Sequence, residues 1–360
     1  MKIVNNSSLI SYIESLIETN NINMSISDMM SEIIGNTTLF NKNEISALMK
    51  KFNLSDKEVI NSKISDYFDI DLSNEEDEEI FTKLISNNIS KINPESYFNN
   101  PYYKNIKISS IKEDDYELVN DKYQAYELFP YKDMSVSNSY KEINSFAYFD
   151  KEFPFLAINK NKITWMSITP NEIETMSKSL EEIKGKVIVC GLGLGYYPYM
   201  ASLKDDVKEI IVIEKDKKVI SLFEKYLLPQ FVHKEKIKII NKDAFEYLKE
   251  TTSFDYCFID LWHDPYDGVE LYLKSKSLEK EGKKYHYWLE SSFYALFRRC
   301  FISLLEEQLA RAKEDSYKNE KSVTDRIINK YYYKTKNLVI DNESTLRDLL
   351  SDKSLLNLLK

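Results

Sequence analysis

The spacing of apolar residues changes along the chain and divides it into regions. Up to about residue 95, apolar residues recur every three or four positions, as in Leu9–Ile17. This is the spacing of amphipathic helices, and it predicts about five short helices in an N-terminal helical domain, residues 1–95. Short β-rich runs follow over residues 96–168, and the last two of them flank a polar four-residue turn at 159–162. They predict a small β-rich linker segment that contains a hairpin.

Strands and helices alternate from residue 169 onward. Thr169, Pro170 and Glu172 have the spacing of a capped helix start. Four apolar runs then alternate with amphipathic segments, at 187–190, 210–213, 237–240 and 256–261. Continuous apolar strands between helices predict an α/β fold with a Rossmann-like, doubly wound, mostly parallel sheet over residues 169–290.

The end of the chain, residues 291–360, is expected to be a mostly helical C-terminal extension. The antiparallel strand pair that often completes such a sheet is hard to find in this stretch. A long amphipathic helix at about 291–313 leaves open whether the chain forms a homo-oligomer.

Composition limits the partners and the compartment. The chain has 49 Lys and Arg against 58 Asp and Glu, a formal net charge of −9, which argues against a nucleic-acid partner and favours a small-molecule substrate. No run approaches the roughly 18 apolar residues of a membrane span, so no membrane association is expected. Three widely spaced cysteines without a secretion signal predict a cytoplasmic protein.

Candidate binding residues stand where the predicted strands end. Four of the seven glycines fall within residues 185–195, and Gly191, Gly193 and Gly195 follow the first strand of the sheet directly. Parallel sheets bind ligands at the carboxyl ends of their strands, where a glycine loop lets the backbone approach the ligand. The next two strands end in Glu214 and in Asp243, which Ala244 follows.

Candidate catalytic residues follow the fourth strand. Asp260, His263 and Asp264 could remove a proton from an attacking group, and aromatic residues stand between and beside them. With Asp267 and Glu270, the two aspartates predict an acidic pocket that would suit an amine substrate. No histidine or carboxylate spacing is typical of a metal site, so no metal is expected.

Four segments resemble class I S-adenosylmethionine-dependent methyltransferases: VIVCGLGLG (187–195), IIVIEKD (210–216), IKIINKDAFEYL (237–248) and FDYCFIDL (254–261). The resemblance implies an enzyme with S-adenosylmethionine as its cofactor, a methyltransferase; the amine-containing small substrate is expected from the local acidic charge alone. It implies that the three loop glycines line the methionine portion, Glu214 binds the ribose, Asp243 and Ala244 hold the adenine, and Asp260 contacts cofactor or substrate.

A narrower resemblance concerns residues 260–265, which are similar to the segment of spermidine synthases in which two acids precede a proline. It implies that Asp260 acts as a base on an attacking amine and Asp264 holds a polyamine. Three residues separate the two acids here, where that family has two. An aminopropyltransferase, and a non-catalytic binding module, are therefore the alternatives to a methyltransferase.

Overall fold

The N-terminal part of this mixed α/β protein is mainly helical. The structure is a computed structural model that describes residues 1–318 and 320–360. The first elements are β1 (Lys2–Ile3), α1 (Ser7–Ile33), α2 (Lys42–Phe52), α3 (Asp56–Tyr67), α4 (Glu75–Leu84) and β2 (Ile89–Lys91). One helix of 27 residues, α1, stands where several short helices were expected. Its N-cap is Asn6, whose side chain accepts the N–H groups of Ser8 and Leu9.

The second part is β-rich, as expected, although it begins with helices. Its elements are α5 (Pro94–Phe98), α6 (Pro101–Asn105), β3 (Ile111–Glu113), β4 (Tyr116–Tyr123), β5 (Phe129–Val136), β6 (Glu142–Tyr148), β7 (Phe153–Lys160) and β8 (Ile163–Ser167). The two helices start where an asparagine precedes a proline, a favourable helix start. β3, β4, β7 and β8 form an antiparallel sheet in that order, and β7–β8 is the predicted hairpin. β2, β6 and β5 form a second sheet.

The third part carries the parallel sheet. Its elements are α7 (Pro170–Glu182), β9 (Gly185–Cys190), α8 (Tyr196–Ser202), β10 (Val207–Glu214), α9 (Lys217–Leu222), β11 (Ile237–Asn241), α10 (Ala244–Glu250), β12 (Tyr256–Ile259), α11 (Pro265–Lys276) and β13 (Lys284–Tyr287). The strand order is β11-β10-β9-β12-β13, and every pairing is parallel. The order reverses between β9 and β12, which creates the kind of crevice where such sheets bind ligands.

The last part is helical, with α12 (Glu290–Leu309), α13 (Val323–Thr335), β14 (Val339–Ile340), α14 (Glu343–Leu349) and α15 (Asp352–Leu359). Within the described residues, no strand pairs with the outer edge of β13, so the sheet ends there. β14 instead pairs with β1, and Ile3 lies opposite Ile340.

Two hydrophobic cores hold these parts together, and α1 contributes to both. Leu9 and Ile13 belong to the larger core, which includes the parallel sheet and α12. Ile26 and Met30, further along the same helix, belong to a smaller core with α3, α4 and β6. The domain boundaries expected from the sequence, near residues 95, 168 and 290, stay predictions. Both cores contain residues from more than one of these domains.

Candidate functional site

The loop between β9 and α8 requires glycine for reasons of space and backbone conformation. Gly191 has a φ of +98°, and a Cβ there would lie 2.1 Å from the backbone oxygen of Asp260. Gly195 has a φ of +76°, and a Cβ there would lie 2.2 Å from the ring of Phe223. Gly193, with a φ of +52°, has open space, since the nearest atom to a Cβ is the sulfur of Met166 at 3.7 Å. The loop thus packs tightly at its two ends and is open in the middle.

The ends of β10 and β11 place two acids beside this loop. Glu214 is buried, and its two oxygens accept the backbone N–H groups of Leu192, at 3.1 Å, and of Asp216, at 2.8 Å. One carboxylate therefore holds the glycine loop against the next strand end. Asp243 caps α10 by accepting the N–H groups of Phe245 and Glu246.

A cavity of about 420 Å³ opens at the carboxyl ends of these strands, and we call it the strand-end cavity. Its volume lies within the usual range for small-molecule sites, roughly 300–1,000 Å³. The hairpin strand β8 and the start of α7 cover one side, and the glycine loop and strand ends form the other. The predicted site residues that line it are Gly191, Gly193, Glu214, Asp243, Ala244, Asp260 and His263. Gly195 and Asp264 are not among the lining residues.

Asp260 shares the strand-end cavity with an acid that the sequence analysis assigned only to a helix start. Burial raises the pKa of Asp260 to about 7. Burial, and secondly the charge of Asp260, raise the pKa of Glu172 well above the ordinary value of a glutamate. Thr169 is the N-cap of α7 as expected, yet no side-chain hydrogen bond completes the predicted cap. Glu172 instead lines the cavity. The only feature of the sequence that could have indicated this is its position in the first turn of the helix that follows β8.

The remaining acids after β12 do not gather in this cavity. Asp264 and Asp267 form a reciprocal capping box at the start of α11. The side chain of each accepts the backbone N–H of the other. His263 is exposed at the cavity rim, and its Nδ1 lies 2.9 Å from an oxygen of Asp267. Glu270 is exposed and faces Arg326. The predicted four-acid pocket is therefore wrong, because only Asp260 of that group faces the cavity.

The walls of the cavity are fixed by aromatic contacts. Tyr197 and Phe258 stack with ring centroids 3.9 Å apart. Trp262 is buried, and its indole N–H donates to the carbonyl of Trp288, whose own indole N–H donates to Thr175 on α7. This chain of contacts ties α7, and with it Glu172, to the strand end that carries Asp260.

The described residues contain neither a metal-ligand cluster nor a membrane-spanning helix. No group of three or more His, Cys, Asp or Glu side chains in residues 1–318 and 320–360 is arranged to hold a metal ion. None of the described helices is both long and apolar enough to cross a membrane.

The sheet order, the glycine loop and the acid-terminated strands are consistent with a Rossmann-like α/β domain. Residues 175–277 of the chain match the family model described as the spermine/spermidine synthase domain. The match spans the glycine loop, Glu214, Asp243 and Asp260. No curated protein sequence matches the chain.

The solved structures that are similar to part of the chain include two spermidine synthases. The spermidine synthase from Thermotoga maritima is 18% identical, over 47% of this chain and 69% of that one, with a TM-score of 0.30. A spermidine synthase in complex with the transition-state analogue AdoDATO is 22% identical, over 47% of this chain and 61% of that one, with a TM-score of 0.29.

The family match corrects the expected function. The matching model describes spermine and spermidine synthases, which are transferases of aminopropyl groups, and not methyltransferases. The expectation of a methyltransferase is therefore wrong, and the alternative drawn from residues 260–265 is the better supported one. S-Adenosylmethionine itself, the expected cofactor, is likewise not supported.

Proposed function

We propose that this protein is an aminopropyltransferase that moves the aminopropyl group of decarboxylated S-adenosylmethionine to an amine. The observation that carries the proposal is the match of residues 175–277 to the spermine/spermidine synthase domain, which covers most of the wall of the strand-end cavity. The acidic character of that cavity supports it, because both donor and acceptor of such a reaction carry protonated amines.

The residues present fit such a donor. The open middle of the glycine loop, at Gly193, leaves room for a ligand against the backbone. Glu214 and Asp243 stand at neighbouring strand ends, where carboxylates can accept hydrogen bonds from ribose hydroxyls and from an adenine amino group. Asp260 lies at the end of β12, on the other side of the loop.

Asp260 is the proposed base. A nitrogen of the acceptor forms a bond to the aminopropyl carbon next to the sulfonium. The carbon–sulfur bond breaks, its electron pair stays on sulfur, and neutral 5′-methylthioadenosine leaves. The proton that the nitrogen must lose goes to the carboxylate of Asp260 and then to solvent. In the site without ligand, burial raises the pKa of Asp260 to about 7, so its carboxylate is a stronger base than that of an ordinary aspartate and is still partly ionised at neutral pH.

The test is to incubate the protein with decarboxylated S-adenosylmethionine and putrescine, cadaverine or spermidine, and to measure 5′-methylthioadenosine and the aminopropylated amine by mass spectrometry. We expect both products in equal amounts with at least one acceptor. Asp260→Asn should lower kcat by roughly 10²–10⁴-fold, the usual contribution of a general base.

Glu270→Gln is the matched control, since it removes an exposed acid outside the cavity. It should leave the rate within about twofold of the wild type, as expected for a surface change. The proposal fails if the donor binds and none of the acceptors yields 5′-methylthioadenosine, or if Asp260→Asn is as active as the control.

A further inference from the structure

Glu172 and Asp260 are two carboxyl groups without a counter-charge in the same cavity. Glu172 comes from the first turn of α7 and Asp260 from the end of β12, and both line the strand-end cavity. Neither side chain has a hydrogen bond or an ion pair with any residue in the described parts of the chain. Both belong to the lining of one cavity of about 420 Å³, and the charge of Asp260 adds to burial in raising the pKa of Glu172.

The other charged groups of the cavity are engaged elsewhere or face outward. Glu214 holds two backbone N–H groups, and Asp243 caps α10. Lys242 is paired with Glu250, and His263 with Asp267. Lys215 is exposed. The pair therefore has to be neutralised by a proton or by a ligand.

Two carboxyl groups in a desolvated site cannot both ionise at low cost, so an empty pair keeps a proton at neutral pH. A ligand cation changes this balance, because it lets both groups ionise and form charge-assisted hydrogen bonds. A primary ammonium has three N–H donors, enough to reach two carboxylates. A carboxylate on the same ligand would be repelled by the pair.

We propose that Glu172 and Asp260 together bind the protonated amine of the donor's aminopropyl tail, and that Glu172 thereby makes the cavity prefer a decarboxylated donor to S-adenosylmethionine. This inference rests on the proposed function for the identity of the donor. Glu172 is then a residue that determines donor specificity. It lies on the helix before the glycine loop, and the sequence pattern alone does not indicate this role.

The experiment is calorimetric titration of the full-length protein with three nucleosides. Decarboxylated S-adenosylmethionine has the amine alone, S-adenosylmethionine has amine and carboxylate, and 5′-methylthioadenosine has neither. The variants are wild type, Glu172→Gln and Glu181→Gln, the last being an exposed acid on the same helix, away from the cavity. Each titration is run at pH 7 in two buffers of different ionisation enthalpy, which measures protons released on binding.

Wild type and Glu181→Gln should bind decarboxylated S-adenosylmethionine at least roughly tenfold more tightly than the other two nucleosides. That binding should release a proton, whereas 5′-methylthioadenosine should release none. Glu172→Gln should weaken binding of the decarboxylated donor by roughly tenfold or more and abolish the proton release. Its affinity for 5′-methylthioadenosine should stay unchanged, which shows that the cavity is still intact.

Equal losses of affinity for all three nucleosides in Glu172→Gln would overturn the inference, because they would show a merely structural role. Wild-type protein that binds 5′-methylthioadenosine as tightly as the decarboxylated donor would overturn it as well. The proposed function fails separately: amine-selective binding that needs Glu172, without transfer to any acceptor, would contradict the activity and leave this inference standing.

Discussion

Gly191 and Gly193, in the same loop, differ in what a side chain would meet, so substitutions at the two positions should have different effects. At Gly191 a methyl group would meet the backbone of the neighbouring strand end, which cannot move without breaking the sheet. At Gly193 it would meet only the flexible side chain of Met166 and the cavity. The first glycine is therefore required by the packing of the fold, whereas the second leaves space open in the strand-end cavity.

Gly191→Ala and Gly193→Ala should separate these two roles. Gly191→Ala should lower the free energy of unfolding by at least about 3 kcal/mol, from the clash added to the positive φ. Gly193→Ala should cost only about 1–2 kcal/mol, the price of a left-handed alanine, and should weaken binding of 5′-methylthioadenosine by roughly tenfold or more, since its methyl group enters the cavity. Denaturant unfolding and calorimetric titration measure both effects. Equal destabilisation by the two substitutions would contradict the assigned roles.

At the scale of elements, α1 is the helix that joins the two cores, and two buried asparagines lie where its face passes from one core to the other. Both polar atoms of the Asn23 side chain are hydrogen-bonded. Its Nδ2 donates to the carbonyl of Tyr140 at 2.9 Å, and its Oδ1 accepts the N–H of Glu142 at 3.0 Å. Asn20 is 1% exposed, and neither of its side-chain polar atoms has a hydrogen-bond partner within the described residues. A buried polar group without a partner destabilises the fold.

Asn20→Leu should therefore stabilise the protein by roughly 1–3 kcal/mol, the usual cost of an unsatisfied buried polar group. Asn23→Leu, one turn later on the same helix, should destabilise it by a similar amount, because the groups on Tyr140 and Glu142 lose their partners. Thermal unfolding of both variants is the measurement. A lower Tm for Asn20→Leu would show that its side chain is satisfied in solution.

The α/β elements follow from the sequence to a large extent, because strands buried on both faces must be continuous apolar runs. The glycine loop and the acids at the strand ends are where the sequence predicts them. The length of α1 does not follow, since Asn20 and its polar neighbours interrupt the apolar spacing although the helix continues.

The acidic part of the site was harder to predict. The spacing of Asp264 and Asp267 beside Pro265 is also that of a helix start, and this local use is the one that the structure contains. Glu172 and Asp260 line the same cavity only because of the tertiary fold. Since 88 positions separate them in the chain, no local pattern could bring them together.

For the whole molecule, Asp260 makes the stability of the fold depend on pH with a sign opposite to that of acids in ion pairs. Its pKa rises from 3.8 in the unfolded chain to about 7 in the fold, so the folded state holds the proton more tightly. This contribution to stability is present at low pH and is lost as the pH rises from about 4 to about 7. Acids whose pKa is lowered by partners, such as Asp56 beside Lys91, contribute stability that increases with pH.

The difference between wild type and Asp260→Asn isolates this effect. In the absence of ligand, the stability of the wild type relative to the variant should fall by roughly 1–3 kcal/mol between pH 4.5 and pH 7.5, allowing for screening by water in the cavity. Denaturant unfolding at several pH values measures it. A difference that is constant with pH would mean that Asp260 titrates as an ordinary aspartate.

The pairing of β1 with β14, together with the packing of α1 on α12, constrains how the chain can fold as it leaves the ribosome. Residues 2–33 are synthesised well before α12, the helix on which α1 packs and which helps to cover its apolar face. At about 5–20 residues per second, the apolar face of α1 waits on the order of tens of seconds for its partner. Helix α1 thus acquires its native environment only once α12 has been synthesised, and until then its apolar stripe lacks this cover.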